Sequence, residues 1–176
     1  MNIPVIQTER LILRAHTRED FPASSALWAD AEVTRFIGGR PLSGEEVWAR
    51  LLRYAGHWAW LGFGYWAMEE KASGAFVGEM GFADWKRDIE PSLRGIPELG
   101  WVLAARFRGR GLAREAVRAA MAWSDETLPG PTTCIINPGN MASIRVAEKC
   151  GYKEALRTTY HERETIVYYR ERGPVG

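Results

Sequence analysis

The sequence predicts a single α/β (α+β) domain with a mixed, mostly antiparallel sheet of six to seven strands and about four helices. An amphipathic stretch at 110–127 has strand-like segments before and after it, which indicates a central βαβ unit. Elsewhere, strand-like runs follow one another across short turns, as antiparallel strands do. The 176 residues suffice for one core and show no repeat or linker. We therefore expect residues 1–176 to form one domain with its core at about 8–170.

The first third of the chain is predicted to form a strand and two helices. Residues 8–15 alternate in hydrophobicity, as a strand with one more apolar face does. Residues 17–30 indicate a short helix. Ser43 is expected to cap the second helix, and Glu46 completes a possible capping box. The buried face of this second helix is predicted at Val47, Leu51, Tyr54 and Trp58.

The rest of the chain is predicted to place the βαβ unit between two hairpins. The predicted elements are, in order, strands 65–70 and 75–84, a loop at 85–97, strand 98–104, helix 110–127, strand 132–137, helix 140–150 and strands 154–160 and 164–170. Asn140 is expected to cap the helix at 140–150, and Gly151 to follow its end.

The composition argues against several kinds of partner. A net charge of +1 provides no general attraction to nucleic acid or to an anionic membrane. No apolar run approaches the ~20 residues of a membrane-spanning helix, and the N-terminus lacks the apolar core of a signal peptide. Cys134 and Cys150 lack metal-ligand spacing and His16, His57 and His161 are scattered, so we expect no metal. Free thiols are favoured over a single disulfide, and we predict a cytoplasmic protein.

A basic, glycine-containing loop at 106–111, Arg-Phe-Arg-Gly-Arg-Gly, joins the predicted strand 98–104 to the next helix. Backbone N–H groups in such a loop, together with the helix dipole, can bind an anion, and glycine lets the backbone approach a pyrophosphate. A Walker A loop is excluded because the chain has no Gly-Lys pair. Arg114 stands where a dinucleotide-binding fingerprint has its third glycine. By itself, the loop is equally compatible with a solvated helix start.

The segment 137–152 reads Asn-Pro-Gly-Asn-Met-Ala-Ser-Ile-Arg-Val-Ala-Glu-Lys-Cys-Gly-Tyr. It resembles the N-x-x-S-x-x-x-x-E-K-x-G-[FY] segment of the GNAT N-acetyltransferases, at the distance expected after an R-x-x-G-x-G loop. Thr-Glu-Arg-Leu-Ile-Leu-Arg at 8–14 and Glu-Leu-Gly-Trp at 98–101 resemble the RimJ/RimL branch, the ribosomal-protein N-terminal acetyltransferase type. The resemblance covers roughly 8–170 and implies the GNAT fold.

The resemblance implies acetyl-CoA as the co-substrate. In the family, the pyrophosphate lies on the amides of the loop, and the pantetheine arm runs along the preceding strand, which separates from the next strand around the thioester. A backbone N–H near Val102 would stabilise the tetrahedral oxyanion, which is worth roughly a few kcal/mol. The residues implied to bind the cofactor are Trp101, Val102, Leu103, Arg106, Arg108, Gly109, Arg110, Gly111, Leu112, Ala113 and Asn140.

Two residues are candidates for the proton transfers that acetylation of an amine requires. Glu98 is our candidate for the general base, acting through a water. The acid at the same position in RimL-like relatives supports this choice; a surface or hairpin-paired carboxylate is the alternative. Ser143 is implied to be the general acid, because Ala147 stands where many relatives have a tyrosine. A serine that bonds the Asn140 backbone is the alternative, and a thiolate of pKa ~8.5 can leave without a strong acid.

The cost of deprotonating the amine separates the possible acceptors. At pH 7 a lysine side chain with a pKa of ~10.4 costs about 4–5 kcal/mol, and an α-amine with a pKa of ~8 about 1–1.5 kcal/mol. We therefore predict acetyl transfer to a protein or peptide N-terminal α-amine, by direct attack in a ternary complex. Transfer to a small-molecule amine and a non-catalytic CoA-binding module are the alternatives. The family implies a possible homodimer. The aromatic segment 58–66 either flanks the acceptor pocket or forms an edge of the core.

Overall fold

An eight-stranded sheet forms the centre of the described chain, which is residues 2–173 of a computed structural model. The strands are β1 Ile6–Gln7, β2 Leu11–Arg14, β3 Tyr65–Glu70, β4 Phe76–Ala83, β5 Glu98–Leu103, β6 Thr132–Ile136, β7 Lys153–Tyr160 and β8 Arg163–Arg170. Their order across the sheet is β1-β2-β3-β4-β5-β6-β8-β7, and every pair is antiparallel except β5 with β6. The predicted mixed sheet with a central βαβ unit is confirmed. The prediction of six to seven strands is one too low, because Ile6 and Gln7 pair with β2.

Five α-helices occur within residues 2–173: α1 Phe21–Ala29, α2 Ala31–Thr34, α3 Gly44–Leu61, α4 Leu112–Thr127 and α5 Met141–Lys149. The fifth, unpredicted helix is the single turn α2, which Asp30 caps by accepting a hydrogen bond from the Glu32 N–H at 2.9 Å. The predicted helix at 17–30 begins only at Phe21, because Arg18–Asp20 form a 3-10 turn. None of the helices in this part of the chain is long and apolar enough to cross a membrane.

The caps predicted for α3 and α5 are confirmed. The Glu46 N–H donates to the Ser43 Oγ at 3.2 Å, and the Ser43 N–H donates to the Glu46 carboxylate at 2.8 Å. The Asn140 Oδ1 accepts from the Ser143 N–H at 3.2 Å, and Gly151 follows α5 with a φ of 91°. Because these caps depend on residues three or four positions apart, local sequence is enough to place them.

The core lies on both faces of the sheet. Leu99 and Leu103 of β5 join the larger cluster, which includes Leu112 and Val117 of α4. Val102, pointing the other way, joins a second cluster with Leu27 and other residues of α1 and α3. Consecutive β5 side chains therefore separate the two packed layers. Cys134, which is buried, and Cys150 both carry free thiols, as predicted.

The aromatic segment 58–66 divides between the core and the surface. Trp58 and Trp66 pack edge-on at 4.9 Å, and Trp123 of α4 completes the cluster. Trp60 is 89% exposed. Tyr65 is the member of this segment that lines the cavity described below. The core-edge interpretation therefore holds for the tryptophans, except for exposed Trp60.

Candidate active site

The two parallel strands separate almost as soon as they meet. β5 and β6 are in register at one position, Glu98 with Thr133, where the Thr133 N–H donates to the Pro97 carbonyl at 3.0 Å. Beyond that point β5 is paired only with β4. A gap bounded by Trp101 and Leu103 on one side therefore opens where the resemblance implied it.

The backbone of β5 directs alternate amides into this gap. The Ala104 N–H donates to the Val77 carbonyl of the neighbouring segment at 2.9 Å. Because N–H directions alternate along a strand, the Val102 amide faces β4, while the amides of Trp101 and Leu103 face the gap. The unpaired edge of β5 thus offers hydrogen-bonding groups at Trp101 and Leu103.

The loop that follows β5 has a backbone that exposes consecutive amides. Gly109 and Gly111 have φ angles of 73° and 78°, in the left-handed region, and α4 begins at Leu112 instead of the predicted residue 110. The first helical hydrogen bond of α4 runs from the Glu115 N–H to the Gly111 carbonyl at 3.1 Å. Within residues 2–173, the amides of 109–113 donate to no protein acceptor. These amides and the N-terminal end of the α4 dipole form an anion-binding arrangement.

Arginine side chains, one from outside the loop and two from within it, fix the position of the loop. Arg10 donates from Nη1 to the Arg110 carbonyl at 2.8 Å and from Nε to the Glu115 carboxylate at 2.7 Å. The Arg110 guanidinium pairs with Glu70. Arg108 donates to the Leu103 carbonyl at 3.3 Å. The loop is therefore held to the residue before β2, to β3 and to β5 by charged and backbone contacts.

The other end of the gap opens into a cavity of about 610 Å³. Of the residues predicted for the site, Glu98, Trp101, Val102, Asn140 and Ser143 line this cavity. The remaining predicted residues, which do not line it, belong to the end of β5, the loop beyond and the start of α4: Leu103, Arg106, Arg108, Gly109, Arg110, Gly111, Leu112 and Ala113. The predicted site thus has two parts, the cavity and the phosphate-binding loop region, which β5 connects.

Several cavity-lining side chains were not predicted from the sequence. They come from α1, α3, the loop after β4 and the β7–β8 turn, and include Trp28, Arg50, Arg53, Trp85, Arg87 and Tyr160. Arg50 lies three residues after Val47 and four before Tyr54, so helical spacing could have placed it on the inner face of α3. Nothing in the local sequence places Arg87 or Tyr160 there.

Glu98 is buried and fully engaged with an arginine. Its two carboxylate oxygens accept from Nε and Nη2 of Arg87, each at 2.7 Å. Arg87 also donates to the Tyr160 hydroxyl at 3.3 Å. Glu98 is only 6% exposed, so it is not a surface carboxylate. Its partner Arg87 lies in the connection between the antiparallel strands β4 and β5, as the hairpin-paired alternative expected. Burial and then the Glu98 charge raise the pKa of Tyr65, another cavity residue, above its usual value.

The start of α5 brings two predicted residues to the same wall. Asn140 uses its Oδ1 to cap the helix. The Ser143 hydroxyl is half-buried and makes no hydrogen bond within the described chain, so it does not bond the Asn140 backbone as the alternative required. Ala147 is completely buried and carries no ionisable group. Ser143 is therefore the hydroxyl that α5 presents to the cavity.

Comparisons with known proteins agree with this geometry. "Uncharacterized protein YkkB" of Bacillus subtilis (strain 168) is 38% identical over 111 residues, which span 62% of this chain and 62% of that protein's length. A putative GnaT-family acetyltransferase from Bordetella pertussis has a TM-score of 0.84 and 27% identity, covering 96% of this chain and 99% of that chain. An acetyltransferase from Agrobacterium tumefaciens str. C58 has a TM-score of 0.82 and 29% identity, covering 96% and 95%.

More distant solved structures share the fold and differ in acceptor. RimL, a ribosomal L7/L12 alpha-N-protein acetyltransferase in complex with coenzyme A, has a TM-score of 0.76 at 16% identity, covering 96% of this chain and 98% of that chain. A spermidine N-acetyltransferase from Vibrio cholerae, in complex with CoA and spermine, has a TM-score of 0.72 at 17% identity, covering 92% and 95%. The RimJ/RimL branch is thus one of several neighbours. The family model described as an acetyltransferase (GNAT) domain matches residues 10–153, and the chain belongs to this family.

Proposed function

We propose that this protein transfers an acetyl group from acetyl-CoA to a primary amine. The observation that carries the proposal is a row of free backbone amides in two groups: those of Trp101 and Leu103 on the unpaired edge of β5, and those of residues 109–113 at the start of α4. An extended ligand with a diphosphate at one end and amide groups along its length matches this row. Acetyl-CoA is such a ligand, and it is the co-substrate of the family.

The pyrophosphate would bind the loop amides, where the helix dipole adds about 0.3–1 kcal/mol for a negative group. The pantetheine arm would pair with Trp101 and Leu103 and displace the Arg108 contact with the Leu103 carbonyl. Asn140 would donate its side-chain N–H to the arm, since its oxygen already caps α5. The predicted oxyanion donor near Val102 is best supplied by the Trp101 or Leu103 amide, because the Val102 amide is directed to β4.

The reaction would proceed by direct attack in a ternary complex. The neutral amine attacks the thioester carbon, a C–N bond forms, and the C–S bond then breaks to release the CoA thiolate. One amine proton passes through a water to Glu98, whose oxygens each retain a lone pair beside Arg87. The thiolate takes a proton from Ser143, which solvent then reprotonates, or takes it directly from solvent. Because the CoA thiol has an ordinary pKa of ~8.5, its thiolate can leave without a strong acid.

The acceptor proposed first is the α-amine of a protein or peptide N-terminus in the cytoplasm. Both Glu98 oxygens already accept hydrogen bonds from Arg87, so an acceptor that gives up its proton easily makes the lighter demand on this residue. An α-amine of pKa ~8 meets this requirement better than a lysine of pKa ~10.4. A small-molecule amine is the second candidate, and the cavity of about 610 Å³ is large enough to enclose one.

The proposal is tested by measuring the rate of thiol release from acetyl-CoA in the presence of each candidate acceptor. The candidates are N-terminal peptides, polyamines, aminoglycosides and amino-acid-like amines. We expect CoA to bind and at least one amine to accelerate thiol release. Tight CoA binding without turnover on any acceptor would indicate a non-catalytic CoA-binding module. Binding of ATP or NAD with no binding of CoA would overturn the proposal altogether.

A further inference from the structure

The cavity has a strong excess of positive charge. Its lining contains four arginines, Arg50, Arg53, Arg87 and Arg163, and one carboxylate, that of Glu98. The rest of the lining is largely apolar or aromatic. A cavity of this kind repels polycations and attracts an acceptor that is partly anionic and partly apolar.

Three of these arginines converge on one indole. The guanidinium carbons of Arg50, Arg53 and Arg87 lie 5.9, 5.5 and 5.9 Å from the centroid of the Trp85 ring. Arg50 also lies 4.1 Å above the ring of Trp28. Stacking on aromatic faces fixes the planes of the guanidinium groups without using their N–H donors. Most donors of Arg50 and Arg53 thus remain available to a ligand, whereas Arg87 donates to Glu98 and Tyr160.

Two of the three arginines have no carboxylate partner. Glu98 neutralises Arg87 through both of its oxygens. Within residues 2–173, Arg50 and Arg53 form no salt bridge, and the polar contact of the Arg50 guanidinium is the Tyr54 hydroxyl at 3.4 Å. Arg50 is half-buried, whereas Arg53 is exposed. A poorly solvated guanidinium such as that of Arg50 is costly without a counterion, and an oxyanion ligand that also reaches Arg53 would relieve that cost. Paired N–H donors of arginine match the two oxygens of a carboxylate.

The buried carboxylate of Glu79 lies near Arg50 but does not pair with its guanidinium. Glu79 accepts from the Trp28 Nε1 and the Tyr54 hydroxyl, each at 2.9 Å. Trp28 and Tyr54 therefore stand between Glu79 and Arg50, and Glu79 does not line the cavity. Its charge helps to hold Arg50 in the structure, while the guanidinium faces the cavity.

These arginines lie at the end of β5 opposite the phosphate-binding loop. Trp85 follows the end of β4, where Ala83 is in register with Glu98. A strand rises ~3.3 Å per residue, so Leu103, next to the loop, lies roughly 16 Å from Glu98. A CoA phosphate bound at 109–113 would therefore leave Arg50 and Arg53 free for the acceptor.

We propose that the acceptor amine also carries an oxyanion, typically a carboxylate, which Arg50 and Arg53 bind beside Trp85 while the amine lies near Glu98. The inference rests on the proposed acetyl transfer and specifies its substrate class. An apolar amino acid and a peptide with an acidic side chain near its N-terminus both present this chemistry. Polyamines and aminoglycosides do not.

The test compares matched acceptors on the wild type, Arg53→Gln and Arg50→Lys. One pair is L-phenylalanine and L-phenylalaninamide; the other is the dipeptide amides Ala-Glu and Ala-Gln.

We expect the wild type to prefer the anionic member of at least one pair. Arg53→Gln should raise the KM of that anionic member by about 10–150-fold. The neutral member and acetyl-CoA should keep their KM. Differences in amine pKa within a pair affect the wild type's preference, but they cancel when the change in KM from wild type to variant is compared for the two members. Arg18→Gln, at an exposed arginine outside the cavity, is the control.

A binding measurement separates failure of this inference from failure of the proposed function. Calorimetric titration of N-acetyl-L-phenylalanine and of N-acetyl-L-glutamate, each against its uncharged amide, requires no turnover. Carboxylate binding that Arg53→Gln weakens, in a protein that acetylates no amine, would support the anion site and overturn the proposed function. Acetylation of amines with no preference for the anionic member, unchanged in both arginine variants, would overturn the anion site alone. Equal loss on charged and neutral acceptors in both variants would also overturn it.

Discussion

The two ends of β5 make their contacts in different ways. At the Leu103 end, the groups available to a ligand are backbone amides, exposed by the left-handed glycines at 109 and 111 and by the loss of pairing with β6. At the Glu98 end, they are side chains that arrive from α3, the loop after β4 and the β7–β8 turn. Backbone groups suit a cofactor shared by a whole family, whereas side chains can change with the acceptor. Under the proposed function, the Leu103 end of β5 would bind the cofactor through its backbone, and we call it the backbone half; the Glu98 end would bind the acceptor through side chains, and we call it the side-chain half.

The largest effect is expected from Glu98→Gln, which tests the side-chain half. We expect kcat to fall by about 10²-fold or more near neutral pH, because general bases contribute roughly 10²–10⁴-fold. The loss should shrink at higher pH, where the acceptor amine is already deprotonated. The measurement is kcat across pH 6.5–9.5, with the CoA dissociation constant as the check that the backbone half is unaffected.

The double variant Glu98→Gln/Arg87→Gln distinguishes a base from a positioning residue. Glu98→Gln alone leaves Arg87 without its bidentate partner, which could itself disturb the cavity. If Glu98 serves only to hold Arg87, removing both charges should restore much of the activity. If Glu98 is the base, the double variant stays as slow as the single one, and an unchanged pH profile in Glu98→Gln would contradict that role.

The backbone half is tested by Gly109→Val. A φ of 73° is strained for a β-branched residue by roughly 1–2 kcal/mol, so we expect CoA affinity to fall by about 5–30-fold. Space is not the cause, because a Cβ at Gly109 would meet no atom within 4 Å. Calorimetric titration with CoA gives the affinity. Acceptor KM at saturating acetyl-CoA should not change.

Two matched variants show whether the conformation of Gly109 is responsible. Gly109→Asn should retain most of the affinity, since asparagine tolerates the left-handed region. Gly130→Val introduces a residue at a φ of 84°, also with nothing within 4 Å, in the connection between α4 and β6. It should lower the melting temperature without weakening CoA. Equal affinity in Gly109→Val and the wild type would remove the loop from the cofactor site.

A smaller effect is expected from Ser143→Ala. The CoA thiol, with an ordinary pKa of ~8.5, leaves as a thiolate without full protonation. We therefore expect kcat to fall by less than about tenfold, with the largest loss at high pH, where solvent hydronium is scarce and cannot replace the missing donor. Ser143→Cys offers a matched donor of similar shape. A loss of 10³-fold or more in the alanine variant would instead make Ser143 an essential acid.

The backbone features of the site could be predicted from the sequence, whereas the side-chain contacts at the Glu98 end could not. The loop and the α5 cap were predicted because glycine and asparagine act on their own neighbours, within residues 109–113 and 140–143. β1 and α2 were missed because elements of two and four residues depend on pairing or capping more than on periodicity. The ion pair of Glu98 with Arg87 was missed because it depends on how an irregular loop folds over β5. Local patterns carry no information on such a contact.

The smallest effect is expected from Asn140→Ala. Asn140 lines the cavity and is also proposed to contact the CoA arm, so it belongs to both the side-chain half and the backbone half of the site. Loss of the helix cap should lower the free energy of unfolding by about 1 kcal/mol, because the Ser143 N–H loses its acceptor at 3.2 Å. Asn140→Asp supplies a matched control, since aspartate caps a helix as well as asparagine but cannot donate to the CoA arm. We expect the aspartate variant to keep the wild-type melting temperature and to bind CoA several-fold more weakly. Thermal unfolding with and without CoA measures both properties. If Asn140→Asp binds CoA as the wild type does, Asn140 acts only as a cap, and the backbone half ends at the edge of β5.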